Sequence, residues 1–164
     1  MTPQNTSLIR KSILFLVAAM LSASAMALDF NQIQREASQG NADAQLQLGA
    51  IYYQGKGVRQ DYVKARQWYE KAAEQGDSSS QFSMGYAYAN GQGVSQDYAK
   101  ALEWFKKSSN QDNAAAQAYI GIMYEFGQGV PKNKKTAKEW FGKSCDNGYQ
   151  GGCDDYRKLN EQGH

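Results

Sequence analysis

The sequence has 164 residues, two cysteines, one histidine and a formal charge of +2. This length suffices for one domain with a continuous hydrophobic core. Because basic and acidic residues nearly balance and no Lys/Arg cluster occurs, nucleic acid and anionic membrane surfaces are disfavoured as partners.

The first 27 residues have the pattern of a secretory signal peptide. Arg10 and Lys11 precede an apolar run, Ile13–Leu21, that is too short for a membrane span. Small-x-small sequences end at Ala25 and Ala27, so cleavage after Ala27 is predicted and cleavage after Ala25 is an alternative. A retained anchor is the other interpretation, which the shortness of the run disfavours.

Removal of this leader has consequences for charge and location. It holds two of the 18 basic residues and none of the 16 acidic ones, so the formal charge falls from +2 to 0. The mature protein is predicted to be exported, either periplasmic or secreted, with no stable membrane insertion after signal removal.

A unit of 36 residues then occurs three times. Gly49, Gly85 and Gly121 recur at this spacing. A fixed period in this range is typical of stacked helical repeats. The predicted segments are an N-terminal capping helix at 28–40, repeats at 41–76, 77–112 and 113–148, and a C-terminal capping helix and tail at 149–164.

Each unit is predicted to form two helices. In the first unit, Asn41 caps the first helix and Gly55 ends it in the left-handed conformation. A glycine inside each first helix, such as Gly49, indicates close helix–helix approach. Asp61 caps the second helix, on which the tryptophans at one register are predicted to be core residues; they are Trp68, Trp104 and Trp140.

The residues from Ala44 to Gly76 read A-x-x-x-L-G-x-x-Y-x-x-G-x-G-V-x-x-D-Y-x-K-A-x-x-W-Y-x-K-A-A-x-x-G. This pattern recurs with few changes in the next two units. The chain thereby resembles the Sel-one-like (Sel1-like) repeat proteins, the slightly longer relatives of the tetratricopeptide repeat. The resemblance implies an all-α fold, an α/α solenoid of stacked antiparallel helix hairpins whose first helices line a concave face. It also implies an adaptor that binds other proteins or peptides.

The two cysteines, Cys145 and Cys153, flank a predicted turn between antiparallel helices. This placement suits the Cα separation of a disulfide, and export favours oxidation. In cysteine-rich members of the family that the chain resembles, disulfides at this spacing link helix hairpins. A metal site is the alternative, but two thiols without a nearby histidine are too few for structural zinc. A redox pair would more naturally be C-x-x-C.

The sequence lacks the residue sets expected of an enzyme. The only histidine is His164, the last residue, so no histidine base or triad can lie in a core. The motifs H-E-x-x-H and G-x-S-x-G and phosphate loops are absent. Because some members of the resembled family carry a β-lactamase label, S-x-x-K, S-D-N and K-T-G were sought, and none occurs. No catalytic residue, cofactor or metal is predicted.

A second face of the first helices differs between the units and is predicted to form the partner-binding groove. It changes from polar to aromatic along the stack, and exposed apolar patches mark interaction sites. Its candidate residues are Gln47, Gln54, Ser83, Tyr86, Asn90, Tyr119, Ile122 and Phe126. In the alternative interpretation, Tyr119 and Phe126 pack beneath the C-terminal capping helix.

These observations favour an exported, non-catalytic scaffold that binds a protein or peptide of unknown identity on its concave face. Glutamine and asparagine side chains would orient the ligand backbone, and the aromatic patch would anchor an apolar side chain. An inhibitor or immunity protein for a periplasmic toxin is one alternative. A β-lactamase-like hydrolase is a second alternative, disfavoured by the missing motifs. Self-association stays open, since an imperfectly capped solenoid end can stack on a second copy.

Overall fold

The computed structural model describes residues 29–163, and this part of the chain contains α-helices and no strand. Helix α1 covers residues 29–38. The other helices are α2 (Ala42–Gln54), α3 (Tyr62–Glu74), α4 (Ser78–Asn90), α5 (Tyr98–Ser109), α6 (Ala114–Phe126), α7 (Lys134–Asp146) and α8 (Gln150–Glu161). From α2 onward, each helix packs on its neighbours in chain order. The predicted all-α solenoid of stacked hairpins is confirmed. The predicted leader, its cleavage sites and His164 lie outside the described residues.

The start of each repeat helix is set by an Asn or Asp side chain. Asn41 accepts a hydrogen bond from the Ala44 N–H at 2.9 Å, and Asp61 accepts one from the Lys64 N–H at 2.9 Å. The same bond occurs at the other four starts, which are capped by Asp77, Asp97, Asn113 and Asn133. The predicted caps are confirmed, and each satisfies an N–H group that lacks a partner within its helix.

The first helix of each hairpin ends at a glycine in the left-handed region. Gly55 has φ 70°, and its N–H donates to the Ile51 carbonyl at 2.9 Å. The second helices end differently, with the left-handed residue one position past the cap in repeats 1 and 3 and two positions past it in repeat 2. Asp112 takes this conformation at φ 57°, where the other two repeats have glycine.

The glycines inside the first helices allow close approach of an aromatic ring. A Cβ added at Gly85 would lie 2.5 Å from the Phe105 ring. The same contact joins Gly49 to Tyr69 and Gly121 to Phe141, with the added Cβ 2.6 Å from each ring. The close packing predicted from these glycines is confirmed, and it joins the two helices of each hairpin.

The tryptophans are not the core residues that the sequence predicts. Trp68, Trp104 and Trp140 are only partly buried, and each ring is covered by the ammonium group of a lysine three residues later, at 4.0–4.4 Å. The residue after each tryptophan is buried instead, because the next position around the helix faces the glycine of the first helix. Phe105, for example, is completely buried.

Buried glutamines connect successive second helices. Gln81 lies at the start of α4 and donates to the Ala73 carbonyl of α3 at 3.2 Å. It accepts a hydrogen bond at 2.9 Å from Gln111, which follows α5. Gln45 and Gln117 occupy the same register and are also buried. These bonds satisfy buried polar groups at the repeat junctions, and they hold each repeat in register with the next.

Helix α8 covers the end of the stack, within the segment where the sequence predicts a C-terminal capping helix. Leu159 is completely buried against Ala137 and Phe141 of α7. Lys158 forms an ion pair at 3.7 Å with Glu125 of α6, whose side chain is nearly buried. The helix therefore has apolar and charged contacts with the last hairpin.

Cys145 and Cys153 are joined as a disulfide with a Cα separation of 4.5 Å. The bond connects the last turn of α7 to the first turn of α8. Across residues 29–163, no helix has both the length and the apolar content needed to cross a membrane.

Candidate functional site

A cleft of about 320 Å³ opens where the hairpins of the first two repeats meet the third. Its walls come from α2, α3, α4 and α6, with one residue from the start of α8. Seven of its thirteen lining residues are aromatic. The full set is Tyr53, Tyr62, Ala65, Arg66, Tyr69, Phe82, Ser83, Tyr86, Ala87, Gln92, Ala115, Tyr119 and Tyr149.

Most of the aromatic residues of the cleft do not recur from repeat to repeat. Phe82 stands where the other repeats have Leu46 and Ala118. Tyr86 stands where they have alanine and isoleucine, and Tyr119 where they have glutamine and serine. Residues needed to stack the helices recur at fixed spacing, whereas these side chains belong to single units. The repeat pattern therefore does not account for them, although Phe82, Tyr86 and Tyr119 also pack against the core cluster around Phe105.

Ring contacts hold the central aromatic residues in place. The Tyr119 ring stacks on the buried Phe105 ring at 5.2 Å between centroids. It also meets Phe82 and Tyr86 edge-on, at 5.4 and 5.7 Å. On the opposite side of the cleft, the Tyr53 and Tyr62 rings meet edge-on at 5.4 Å. Such contacts reduce side-chain freedom, so a ligand would meet a largely pre-formed surface.

Three tyrosine hydroxyl groups of the cleft, those of Tyr53, Tyr69 and Tyr119, have raised pKa values. Burial raises the pKa of Tyr69 to about 12, and the nearby Tyr53 adds to the increase. Burial is also the main cause of the raised pKa of Tyr53 and of Tyr119. Each of these groups is therefore available as a neutral hydrogen-bond donor or acceptor.

The cleft carries little charge. Arg66 is the only charged residue in its lining. The Arg66 guanidinium is paired with Glu70 at 2.9 Å, and it also donates to the Gly93 carbonyl at 3.3 Å. Because this cation is already neutralised by a carboxylate of the protein, the surface suits an uncharged ligand group.

One polar atom in the lining has no partner among the described residues. The Gln92 Oε1 atom is buried and accepts no hydrogen bond. Its amide group lies beside the Tyr53 hydroxyl. A buried acceptor without a donor is unfavourable, so this oxygen would favour a ligand that supplies an N–H or O–H group.

Three of the predicted partner-binding residues line this cleft: Ser83, Tyr86 and Tyr119. Gln47 and Gln54 lie elsewhere, in a depression of about 750 Å³ formed by α1, α2 and the following turn. The predicted face is therefore divided between two regions, both of which include residues of α2. A binding role for any of these residues stays a prediction.

The other three predicted residues have different surroundings. The Asn90 side chain donates to the Tyr86 carbonyl of its own helix at 2.9 Å. Ile122 packs against the cluster that contains Leu159 of α8. Phe126 is 61% exposed, and the Tyr119 ring packs on Phe105. It is thus Ile122, rather than Tyr119 or Phe126, that lies against the capping-helix cluster.

Several lining residues were missed by the sequence interpretation. Tyr53, Phe82 and Tyr149 lie off the single helix face that was considered, and Arg66 and Tyr69 belong to a second helix. A usable signal was present, because Phe82 differs from both of its counterparts at the 36-residue spacing. Among residues 29–163, no group of three or more His, Cys, Asp or Glu is placed to hold a metal ion.

Comparison with known families gives matches along all three repeats. A sequence model described as "Sel1 repeat" matches residues 42–77, 78–113 and 114–149. A short segment of 45 residues is 42% identical to HRD3A of Arabidopsis thaliana, a component of an ERAD-associated E3 ubiquitin-protein ligase. That segment covers 27% of this chain and 7% of HRD3A.

Solved structures of repeat proteins are similar to most of the chain. A Sel1 repeat protein from Oxalobacter formigenes is 31% identical, with a TM-score of 0.72 over 87% of this chain and 61% of that one. A protective antigen from uropathogenic Escherichia coli strains is 33% identical, with a TM-score of 0.70 over 82% of this chain and 33% of that one. Cysteine rich protein B from Helicobacter pylori, at 23% identity and a TM-score of 0.60, shares the fold; the match covers 76% of this chain and 95% of that protein. The chain thus spans a third to three fifths of the length of the two more identical structures.

Proposed function

The chain belongs to the Sel1 repeat family, and we propose that it is an exported, non-catalytic scaffold that binds a protein or peptide on the concave face of its helical stack. Proteins of this family are helical repeat scaffolds that generally mediate protein–protein interaction. The proposed binding site is the tyrosine-lined cleft. Its ligand is an extended peptide segment that presents a large apolar side chain.

The observation that carries the proposal is the set of non-repeated aromatic residues at the cleft. Rings of this kind supply a large contact area and often dominate binding energy. A volume of about 320 Å³ falls within the range of ligand pockets and suits one or two side chains.

The polar atoms of the cleft support a peptide ligand. The paired Arg66 leaves the lining without a free charge, which favours an apolar anchor over an ionic one. The unpartnered Gln92 oxygen can accept a hydrogen bond from a peptide N–H. A peptide that buries an apolar side chain in the cleft also brings a backbone N–H group close to it. An apolar pocket beside one hydrogen-bond acceptor suits both groups of such a peptide.

Export is supported by the leader pattern at the start of the sequence and by the cysteine pair. The leader has a basic segment, a short apolar run and small residues at the cleavage site. Disulfides persist in oxidising compartments such as the bacterial periplasm. Export is thus part of the same proposal.

A displayed peptide library tests the binding site. Oxidised protein is immobilised, and enriched peptides are measured by titration calorimetry against the wild type and two variants. We expect the peptides to share a large apolar residue, and Tyr86→Ala to weaken binding about tenfold or more, since it removes a wall of the cleft. Tyr156→Ala is the matched control, because Tyr156 is exposed outside the cleft lining, and it should change affinity less than twofold.

Thermal melts of both variants show whether each is folded. The proposal fails if no peptide is enriched, or if binding is lost in Tyr156→Ala and kept in a folded Tyr86→Ala.

A further inference from the structure

The capping helix α8 departs from the rule by which every first helix of the repeats begins. Position 149 follows positions 41, 77 and 113 at the 36-residue spacing, and those three positions hold Asn41, Asp77 and Asn113. Each of these caps its helix through a side-chain oxygen. Tyr149 stands at the same place, and its side chain makes no capping bond. The Gly152 N–H, which occupies the position of the capped N–H groups, donates to the Tyr149 carbonyl at 3.0 Å instead.

The Tyr149 side chain lines the cleft instead. It is one of the thirteen lining residues and the only one that α8 or its cap supplies. It lies close enough to Tyr119 to contribute to the raised pKa of that phenol, after burial and Tyr86. The ring is 44% exposed, so the repeat stack does not bury it. Its free face is available to a ligand.

The residues around Tyr149 are arranged to hold the ring in this position. Gly151 leaves room for it, because a Cβ there would lie 2.7 Å from the ring edge. The Tyr149 N–H donates to the Ser144 carbonyl of α7 at 3.0 Å. The Cys145–Cys153 disulfide closes the turn on both sides of the tyrosine. The repeats have the same backbone bond at their own starts, so the disulfide is the restraint that only this turn has in addition.

A position that departs from a local sequence rule, here the side-chain cap, without a local gain in stability is typical of a functional site. We propose that Tyr149 is a ligand-contacting wall of the cleft, placed by the capping helix at the position that the repeats give to a capping residue. The inference rests on the proposed function, and the occupant is the same peptide segment with its large apolar side chain. The third repeat and the start of α8 thereby supply the part of the cleft lining that the first two repeats do not.

The variant Tyr149→Asn separates a binding role from a structural one. It restores the residue that caps α2 and α6, so we expect the melting temperature to rise by about 3 °C. It also removes one aromatic wall, so affinity for the library-selected peptide should fall about tenfold or more. Stability and binding should therefore change in opposite directions, which a loss of folding could not produce.

Two further variants complete the test. Tyr149→Phe keeps the ring and should retain affinity within about threefold, since a single exposed hydroxyl contributes little. Tyr156→Asn removes a tyrosine of α8 that is exposed and outside the cleft lining, and it should leave affinity unchanged.

The inference is overturned if Tyr149→Asn binds the peptide with wild-type affinity while Tyr86→Ala binds it more weakly. In that case the proposed function still stands. It is also overturned if Tyr149→Asn lowers the melting temperature, because the ring would then serve packing. If the wild type selects no peptide, both proposals fall together.

Discussion

In each second helix, two adjacent aromatic residues have different environments. Trp104 is partly buried beneath the Lys107 ammonium group at 4.0 Å, whereas Phe105 is completely buried against Gly85. Both positions repeat every 36 residues, so periodicity alone cannot rank them. Which of the two rings is buried depends on the side of the second helix against which the first helix packs. That side is a property of the packed hairpin.

The environments of these two residues predict unequal effects of truncation. Phe105→Ala should lower the free energy of unfolding by about 3–5 kcal/mol, because it leaves a cavity against Gly85 and Tyr119. Trp104→Ala should cost only about 1–2 kcal/mol, since part of the ring is already in water. Urea unfolding of both variants measures the difference. Equal losses would contradict the assignment of Phe105 as the core ring.

The buried phenol of Tyr69 predicts a loss of stability at high pH. Its pKa is raised from 10.0 to about 12 in the folded protein, mainly by burial. Below pH 10 both the folded and the unfolded states hold the proton, so the contribution of Tyr69 is fully present. Between pH 10 and 12 the unfolded chain loses its proton first, and stability falls as the pH rises.

Melting temperatures from pH 8 to 11.5 test this expectation. The wild type should lose stability more steeply above pH 10 than Tyr69→Phe, which has no phenol to titrate at this position. Since all other tyrosines and lysines are the same in both proteins, the difference between the two curves reports Tyr69. Parallel curves would show that its folded pKa is not raised.

At the scale of the element, local signals set where each helix begins and ends. Asx caps and left-handed glycines occur at matching positions in the repeats and need no information from distant residues. Helix α8 is the exception, because its start has no side-chain cap and is held by a disulfide. This element is also held against the stack by Leu159 and by the ion pair between Lys158 and Glu125.

The disulfide should contribute measurably to stability. Closing this short loop stabilises the folded state by about 2–3 kcal/mol in the chain-entropy view. We expect Cys145→Ser/Cys153→Ser to lower the free energy of unfolding by that amount in urea. A reducing agent should have the same effect on the wild type and none on the double variant. A loss below about 0.5 kcal/mol would show that the apolar contacts of α8 suffice.

At the scale of the whole molecule, the stack brings together aromatic residues that lie far apart in the chain. Tyr53 of α2 and Tyr149 at the start of α8 line one cleft, although the whole of repeats 2 and 3 lies between them in the chain. Neither belongs to the helix face on which the sequence interpretation placed the groove. Ser83, Tyr86 and Tyr119 were predicted and do line the cleft, whereas Gln47 and Gln54 lie in a separate depression between α1 and α2.

The sequence by itself determined the repeat period, the helix boundaries and the close contact at each mid-helix glycine. These features depend on interactions within a few residues or on a spacing repeated three times, so a single chain reveals them. Only the tertiary structure decided which ring fills the core, where Tyr149 lies and which aromatic residues share a cleft. Periodicity shows which face a residue occupies on its own helix. It does not show how far each hairpin is rotated against the next, and that rotation selects the residues that meet.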